Sequence, residues 1–222
     1  VPVISGALMR FPLGILSQYI GRKRAAMLEM GIICACLLWG FFFTTSLAAV
    51  VAMGVALGVA GASFGVALSL GSGWYPPKYK GLAMGIAGAG NSGTVIAMLA
   101  APPLALAYGW RTVYLFGLIP MATAMFLLQI YAKEPPDKVE KKLKDYLKIL
   151  VDKDAWIFNL LYSVTFGGFI GLASFLPTLF HDHYLIPKQS VGLYVTIGVV
   201  AASGLRVVGG WASDRIGGIR LM

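Results

Sequence analysis

The chain has 222 residues, of which 58% are hydrophobic and only 12% charged, and its formal net charge is +9. A soluble domain averages about 25% charged residues and turns much of its surface to water. This composition therefore excludes a cytosolic enzyme, a disulfide-stapled secreted domain and a disordered tail, and indicates an integral membrane protein.

Seven apolar segments follow one another: about Val1 to Ser17, Ala25 to Thr44, Leu47 to Ser72, Leu82 to Ala105, Thr112 to Ala132, Ala155 to Phe180 and Val191 to Ala212. The complete ones are close to the ~20 residues that carry a helix across the hydrocarbon core. They are too long and too unalternating for barrel strands, so an all-α membrane bundle is expected. The chain opens on Val1 inside an apolar run and stops at Met222 just after a loop, which reads as a piece of a longer protein.

The loops between the spans alternate in charge. Arg22, Lys23, Arg24, Lys78, Lys80, Lys133, Lys138, Lys141, Lys142, Lys144, Lys148, Lys153, Arg215 and Arg220 fall on one side, against Arg111 and Lys188 on the other. The positive-inside rule makes the first side cytoplasmic, in a multi-pass arrangement in the cytoplasmic (inner) membrane. The positive charge is thereby accounted for without nucleic acid. The long polar stretch 133–154 breaks after Pro135 and Pro136. Beyond them Val139, Leu143, Tyr146, Leu147 and Leu150 recur at helical spacing among lysines. This predicts a short amphipathic helix on the cytoplasmic membrane surface, at the boundary between two bundles.

The two ends of the chain repeat each other. Arg10, Gly14, Ser17, Ile20, Gly21 and Arg24 recur as Arg206, Gly210, Ser213, Ile216, Gly217 and Arg220, at a constant offset of 196. Both copies close an apolar span and enter a basic loop, as expected of two homologous halves related by a pseudo-two-fold axis. The pattern is similar to the loop signature of the major facilitator superfamily, found there between helices 2 and 3 and between helices 8 and 9. The resemblance implies about seven transmembrane helices of an expected twelve. Residues 1–132 would hold helices 2–6 of the N-terminal bundle without helix 1. Residues 133–154 would be a cytoplasmic linker, and residues 155–222 would hold helices 7 and 8 with the 8–9 loop. Gly14, Gln18, Gly21 and Arg24 in the first copy, and Gly210, Asp214, Arg215, Gly217 and Arg220 in the second, would form the gating loops. In that superfamily an acid of the motif helps lock one gating state against a neighbouring helix. Asp214 keeps the acid, whereas Gln18 departs from it.

Arg10 and Arg206 each lie eight residues before the motif position held by Gln18 or Asp214, about 12 Å along a helix. Both are thus near the middle of a ~30 Å core, where a cation is costly and marks a pathway or a partner. The one acid inside a span, Glu29, lies close to the cytoplasmic end of its helix and is expected to serve a gate or loop. The repeat sets the two arginines at equivalent places in the two halves. Opposed guanidinium forks suit a small planar anion. The fourth span adds Gly85, Gly88, Gly90 and Gly93, which permit close helix packing, and Asn91, a possible amide donor. Phe64, Tyr162 and Phe166 are candidate aromatic walls.

These stretches resemble the nitrate/nitrite porter family: Arg10-Phe-Pro, Gly58 to Phe64, Trp74 to Lys78, Gly85 to Gly93, Phe166 to Gly171 and Leu205 to Arg220. The resemblance implies nitrate or nitrite clamped by Arg10 and Arg206, hydrogen-bonded by Asn91 and Tyr162, and flanked by Phe64 and Phe166. A carrier working by alternating access, as a monomer in the lipid bilayer, is expected, and since a negative cytoplasm opposes entry of a monoanion, protons or a second anion are expected as coupling partner. The lack of a mid-membrane acid favours exchange. A carrier of a small carboxylate such as oxalate or formate, and a non-transporting anion receptor, remain alternatives. No nucleophile–base constellation and no cofactor motif occurs, so no enzyme and no cofactor is expected; the glycine run follows no strand and is not a dinucleotide fingerprint. Cys34 and Cys36 point to different faces of a helix and suggest neither disulfide nor metal. His181, Asp182 and His183 read as a solvated outer loop without a metal, and Trp74, Tyr75 and Trp110 as interfacial anchors.

Overall fold

The computed structural model describes residues 1–136 and 143–221. Every regular element among them is helical. Seven helical stretches are long and apolar enough to cross a membrane: Pro2–Ile20, Arg22–Phe43, Leu47–Ser72, Pro77–Tyr108, Thr112–Tyr131, Lys153–Asp182 and Ser190–Ile216. Most outrun the apolar segments by several residues. Hydropathy marks what sits in hydrocarbon, whereas the backbone ladder continues into the polar margin.

Helices α1 (Pro2–Ile20) and α2 (Arg22–Phe43) are joined by Gly21 alone. The third span is α3 (Leu47–Ala56) and α4 (Gly58–Ser72), separated by Leu57. The fourth starts with a 3₁₀ turn, Pro77–Tyr79, and runs through α5 (Lys80–Ala89), a second 3₁₀ turn at Gly90–Ser92, and α6 (Gly93–Tyr108). Then come α7 (Thr112–Tyr131), the short α8 (Leu143–Leu147) with a 3₁₀ turn at Lys148–Val151, α9 (Lys153–Asp182), α10 (Lys188–Ile216) and α11 (Gly218–Leu221). A short helix does follow Pro136, as α8 with its 3₁₀ extension. Lys138, Val139, Lys141 and Lys142 of that expectation lie outside the described residues.

By contacts the chain forms two compact units, which follow packing and not chain order. The first is Val1–Gly88, Leu104–Glu140 and Arg206–Met222; the second is Ala89–Pro103 and Lys141–Leu205.

In the first unit α1 and α4 touch backbone to backbone. A Cβ on Gly6 would lie 2.8 Å from the Gly58 carbonyl oxygen and 3.2 Å from the Gly61 Cα. Ser5 Oγ donates to the Val55 carbonyl at 2.6 Å. The buried face of α2 runs Ala25, Ala26, Glu29, Ile33, Cys36, Gly40, spaced by three and four as a packed helix face requires. Ala25 and Ala26 pack with Val66 of α4, Ile20 and Leu128. Farther up, a Cβ on Gly40 would lie 2.7 Å from Met53 Sδ and 3.0 Å from the Tyr114 ring. With lipid tails as apolar as the side chains, such small-residue contacts supply helix association through close packing.

In the second unit Val191, Val195 and Val199 of α10 form a core against Val95 and Met98 of α6 and Phe169, Ala173, Leu176 and Phe180 of α9. A Cβ on Gly192 would meet the Met98 carbonyl oxygen at 2.9 Å, so α10 and α6 are also in backbone contact. Elsewhere large apolar side chains face outward, among them Ile4, Leu8, Ile96, Leu106, Val164 and Ile197. Distributed along the spans, they form a surface suited to lipid.

Candidate functional site

The repeated loop motif has a common backbone form. Gly21 and Gly217, paired by the repeat, adopt φ of 94° and 88°. Each follows the isoleucine shared by the two copies, which ends its helix, and lets the next helix begin one residue later. An L side chain strains in that region, so glycine is required at both joints. Arg10 and Arg206 each sit ten residues before the last residue of α1 and α10, about 15 Å along the axis.

Arg10 is half-buried, and its Nε donates to the Gly61 carbonyl at 3.2 Å. Phe64, one turn beyond Gly61 on α4, is also half-buried. Arg206 lies on the glycine face of α5. A Cβ on Gly85 would sit 2.5 Å from the Arg206 carbonyl oxygen, and one on Gly88 would sit 3.3 Å from its Cδ and 3.4 Å from Nη1. Gly210 faces Gly81 and Gly85 in the same contact. The guanidinium thus has room because Gly88 has no side chain. Gly90 and Gly93 do not share this role, since a Cβ on either meets nothing within 4 Å. They belong to the 3₁₀ interruption and its exit, where the backbone leaves the packed face. Gly14 is likewise open, unlike its repeat partner Gly210.

The 3₁₀ turn places Asn91 inside the fourth span. Its carbonyl accepts from Thr94 Oγ1 at 2.7 Å, while its side-chain Nδ2 is buried without a hydrogen-bond partner among the described residues. An interrupted membrane helix with an unsatisfied amide is a recurrent setting for a bound ion or substrate. Tyr162 and Phe166, one turn apart on α9, stack with centroids 5.1 Å apart and planes at 10°. Arg10, Arg206 and Phe64 belong to the first unit, and Asn91, Tyr162 and Phe166 to the second.

The gating-loop residues divide. Asp214 reaches the start of α5, where Oδ1 accepts from Gly81 N–H and Oδ2 from Leu82 N–H, both at 2.8 Å. Those amides have no partner within their own helix, and an anion there also meets the helix dipole. Arg215 covers the Trp211 ring at 4.2 Å. Arg24 lines a cleft with Lys23, Met27 and Gln129, and Arg220 is exposed on α11. Gln18 is half-buried.

Glu134 is a functional residue that sequence reasoning missed. Its Oε1 accepts from Arg22 N–H at 2.6 Å and its Oε2 from Lys23 N–H at 3.0 Å, capping α2 as Asp214 caps α5. The available signal was its position: it is the first acid after Glu29 and directly follows the fifth span. Glu29 itself departs from expectation. It is fully buried in α2 and reaches no gate or loop group; neither carboxylate oxygen has a hydrogen-bond partner among the described residues. His181 Nδ1 lies 3.0 Å from the Ile186 carbonyl and closes the turn after α9.

Comparison with known proteins adds to this geometry. The Major Facilitator Superfamily family model matches residues 1–222. The chain is 31% identical over 224 residues to the "Nitrite extrusion protein" of Bacillus subtilis (strain 168), covering all of this chain and 56% of that protein. It is 34% identical over 230 residues to the "Probable nitrate transporter NarT" of Staphylococcus carnosus (strain TM300), covering all of this chain and 57% of that protein. With the "Probable nitrate/nitrite antiporter NarK1" of Thermus thermophilus it shares 33% identity over 182 residues, covering 75% of this chain and 41% of that one. The chain thus spans little more than half the length of the first two relatives.

Proposed function

Because the chain belongs to the major facilitator superfamily, with curated relatives named as nitrate and nitrite transporters, we propose that the whole protein carries nitrate or nitrite across the cytoplasmic membrane by alternating access. The observation that carries this reading is the pair of arginines at matching depth on two repeat-related helices, each laid against a glycine-lined neighbour. The reading takes the bundles in chain order, residues 1–132 and 155–222, with the 133–154 linker on the cytoplasmic side.

In this reading Arg10 and Arg206 clamp the anion. A guanidinium keeps its charge at all relevant pH values and offers coplanar donors that match a flat oxyanion. Phe64, in the same unit as both arginines, shapes an apolar flank; Asn91 and Tyr162 as further donors and Phe166 as a second flank rest on the sequence resemblance. Asp214 on the amides of Gly81 and Leu82 is the contact that forms and breaks as the carrier changes state. The chemistry is binding and movement and not bond cleavage, so the protein acts as a carrier and not as an enzyme.

Entry of a monoanion into a negative cytoplasm is opposed by about 2.3 kcal/mol per 100 mV. Uptake therefore requires exchange for another anion or co-transport of protons. The test is labelled nitrate uptake into proteoliposomes of the whole protein, with and without internal nitrite, beside Arg206→Lys. Lysine keeps the charge and loses the fork, and uptake is expected to fall about tenfold or more. Flux of a small carboxylate in place of nitrate, or anion binding without flux, overturns the substrate assignment or the carrier assignment respectively.

A further inference from the structure

We propose that Glu29 is a proton-binding site, protonated while α2 is packed in the first unit and discharging to water when that packing opens. Glu29 lies seven residues into α2, on the face that also carries Ala25, Ala26, Ile33, Cys36 and Gly40. It is 0% exposed within the protein itself, before any lipid surrounds it. Both Oε atoms lack a hydrogen-bond partner among the described residues.

The helices packed against α2 are α1, α3, α4 and α7. Their titratable groups are few: Arg10 and Tyr19 on α1, Tyr114 and Tyr131 on α7, and none on α3 or α4. On α2 itself they are Arg22, Lys23, Arg24, Cys34 and Cys36. Arg10 Nε donates to the Gly61 carbonyl, Arg22 Nη1 to the Ser69 carbonyl and Lys23 Nζ to the Gln129 carbonyl. Arg24 is exposed beside the cleft it lines, Tyr19 and Tyr131 are exposed, and the Tyr114 ring lies against Gly40. None of these groups donates to Glu29.

An ionised carboxylate in this position would have lost its water and gained neither cation nor donor, whereas the neutral acid carries only the much smaller cost of an unpaired polar group. A buried acid with no structural partner is also a poor packing element, because leucine would fill the same face without a polar group. A group that is neutral when enclosed and ionised when wet converts the opening of a helix face into uptake or release of one proton. The step is balanced: one proton passes from the aqueous phase to a Glu29 oxygen and returns to water on opening, with no other bond made or broken.

Protonation of Glu29 stands on burial alone, whereas its coupling to transport rests on the reading above. In that setting one proton moving with one monoanion cancels the charge that the membrane potential opposes. This supplies a route to symport that a count of mid-membrane acids overlooks.

The test uses the whole protein in proteoliposomes, with Glu29→Gln as a neutral isostere and Glu29→Asp as the variant that keeps an acid. Infrared spectroscopy at neutral pH is expected to show a protonated-carboxyl C=O band that Glu29→Gln lacks. Nitrate uptake driven by an imposed inward proton gradient is expected to fall about tenfold or more in Glu29→Gln, with nitrate–nitrite counterflow retained and the gradient response restored in Glu29→Asp. Identical infrared spectra for wild type and Glu29→Gln overturn the proton site. Gradient-driven uptake that survives Glu29→Gln, or its absence from the wild type beside intact counterflow, overturns the coupling. If the wild type moves neither anion, the transport reading falls, and the infrared band still decides the protonation of Glu29.

Discussion

At the scale of single residues, several of these roles depend on an absent side chain. Gly85 brings α5 onto the backbone of Arg206, where an added Cβ would lie 2.5 Å from a carbonyl oxygen that cannot rotate away. Gly85→Ala must push the two helices apart, at a cost of about 1–3 kcal/mol. Gly93 is equally glycine in the sequence, but its surroundings are open. Gly93→Ala should therefore leave stability unchanged or raise it by up to about 1 kcal/mol through helix propensity. Thermal unfolding in detergent checks the pair, with a lowered midpoint expected for Gly85→Ala alone. The sequence could mark all four glycines of the fourth span as small, but not which of them face a neighbour. That depends on the 3₁₀ turn at Gly90–Ser92, which shifts the helical register after Gly88 and has no strong sequence signal.

At the scale of elements, two carboxylates perform one task at two helix starts. Glu134 spans the first two amides of α2 and Asp214 the second and third of α5. Glu134→Ala should loosen the first turn of α2 by about 1 kcal/mol, in the range of a lost N-terminal cap. Amide hydrogen exchange at Arg22 and Lys23 should then run about fivefold faster, with little change in the middle of α2. The seven spans were legible because twenty-residue hydropathy is a local property. The repeat was legible because its glycines recur where the backbone takes a strongly positive φ, as at Gly21 and Gly217. The Glu134 cap was not legible: it joins residues more than 100 positions apart, and nothing near Arg22 in the sequence names its partner. Nor was the isolation of Glu29, since the sequence placed it near a helix end but not on the inward face of α2.

At the scale of the molecule, a basic and a nearly uncharged margin alternate along the chain. By the positive-inside rule this predicts an orientation that labelling at either margin can test. Cysteine placed at Lys148, beside α8, should react with a membrane-impermeant thiol reagent only after cells are opened. Cysteine placed at Ser46, between α2 and α3, should react in intact cells. Reversed labelling would invert the topology, and with it the side on which the Asp214 contact lies. The apolar outer surface and the glycine contacts within each unit also divide the work of stability. Lipid occupies the first, and close backbone packing supplies the second.

The single-residue joint at Gly21 bears on how the protein is made as well as on how it works. Two membrane helices linked by one residue, with Arg22, Lys23 and Arg24 beside the link, cannot be threaded into the bilayer in separate orientations. Once α2 is drawn in, α1 has its direction dictated, and three positive charges would have to cross before the hairpin could invert. Biogenesis therefore commits both spans in one event.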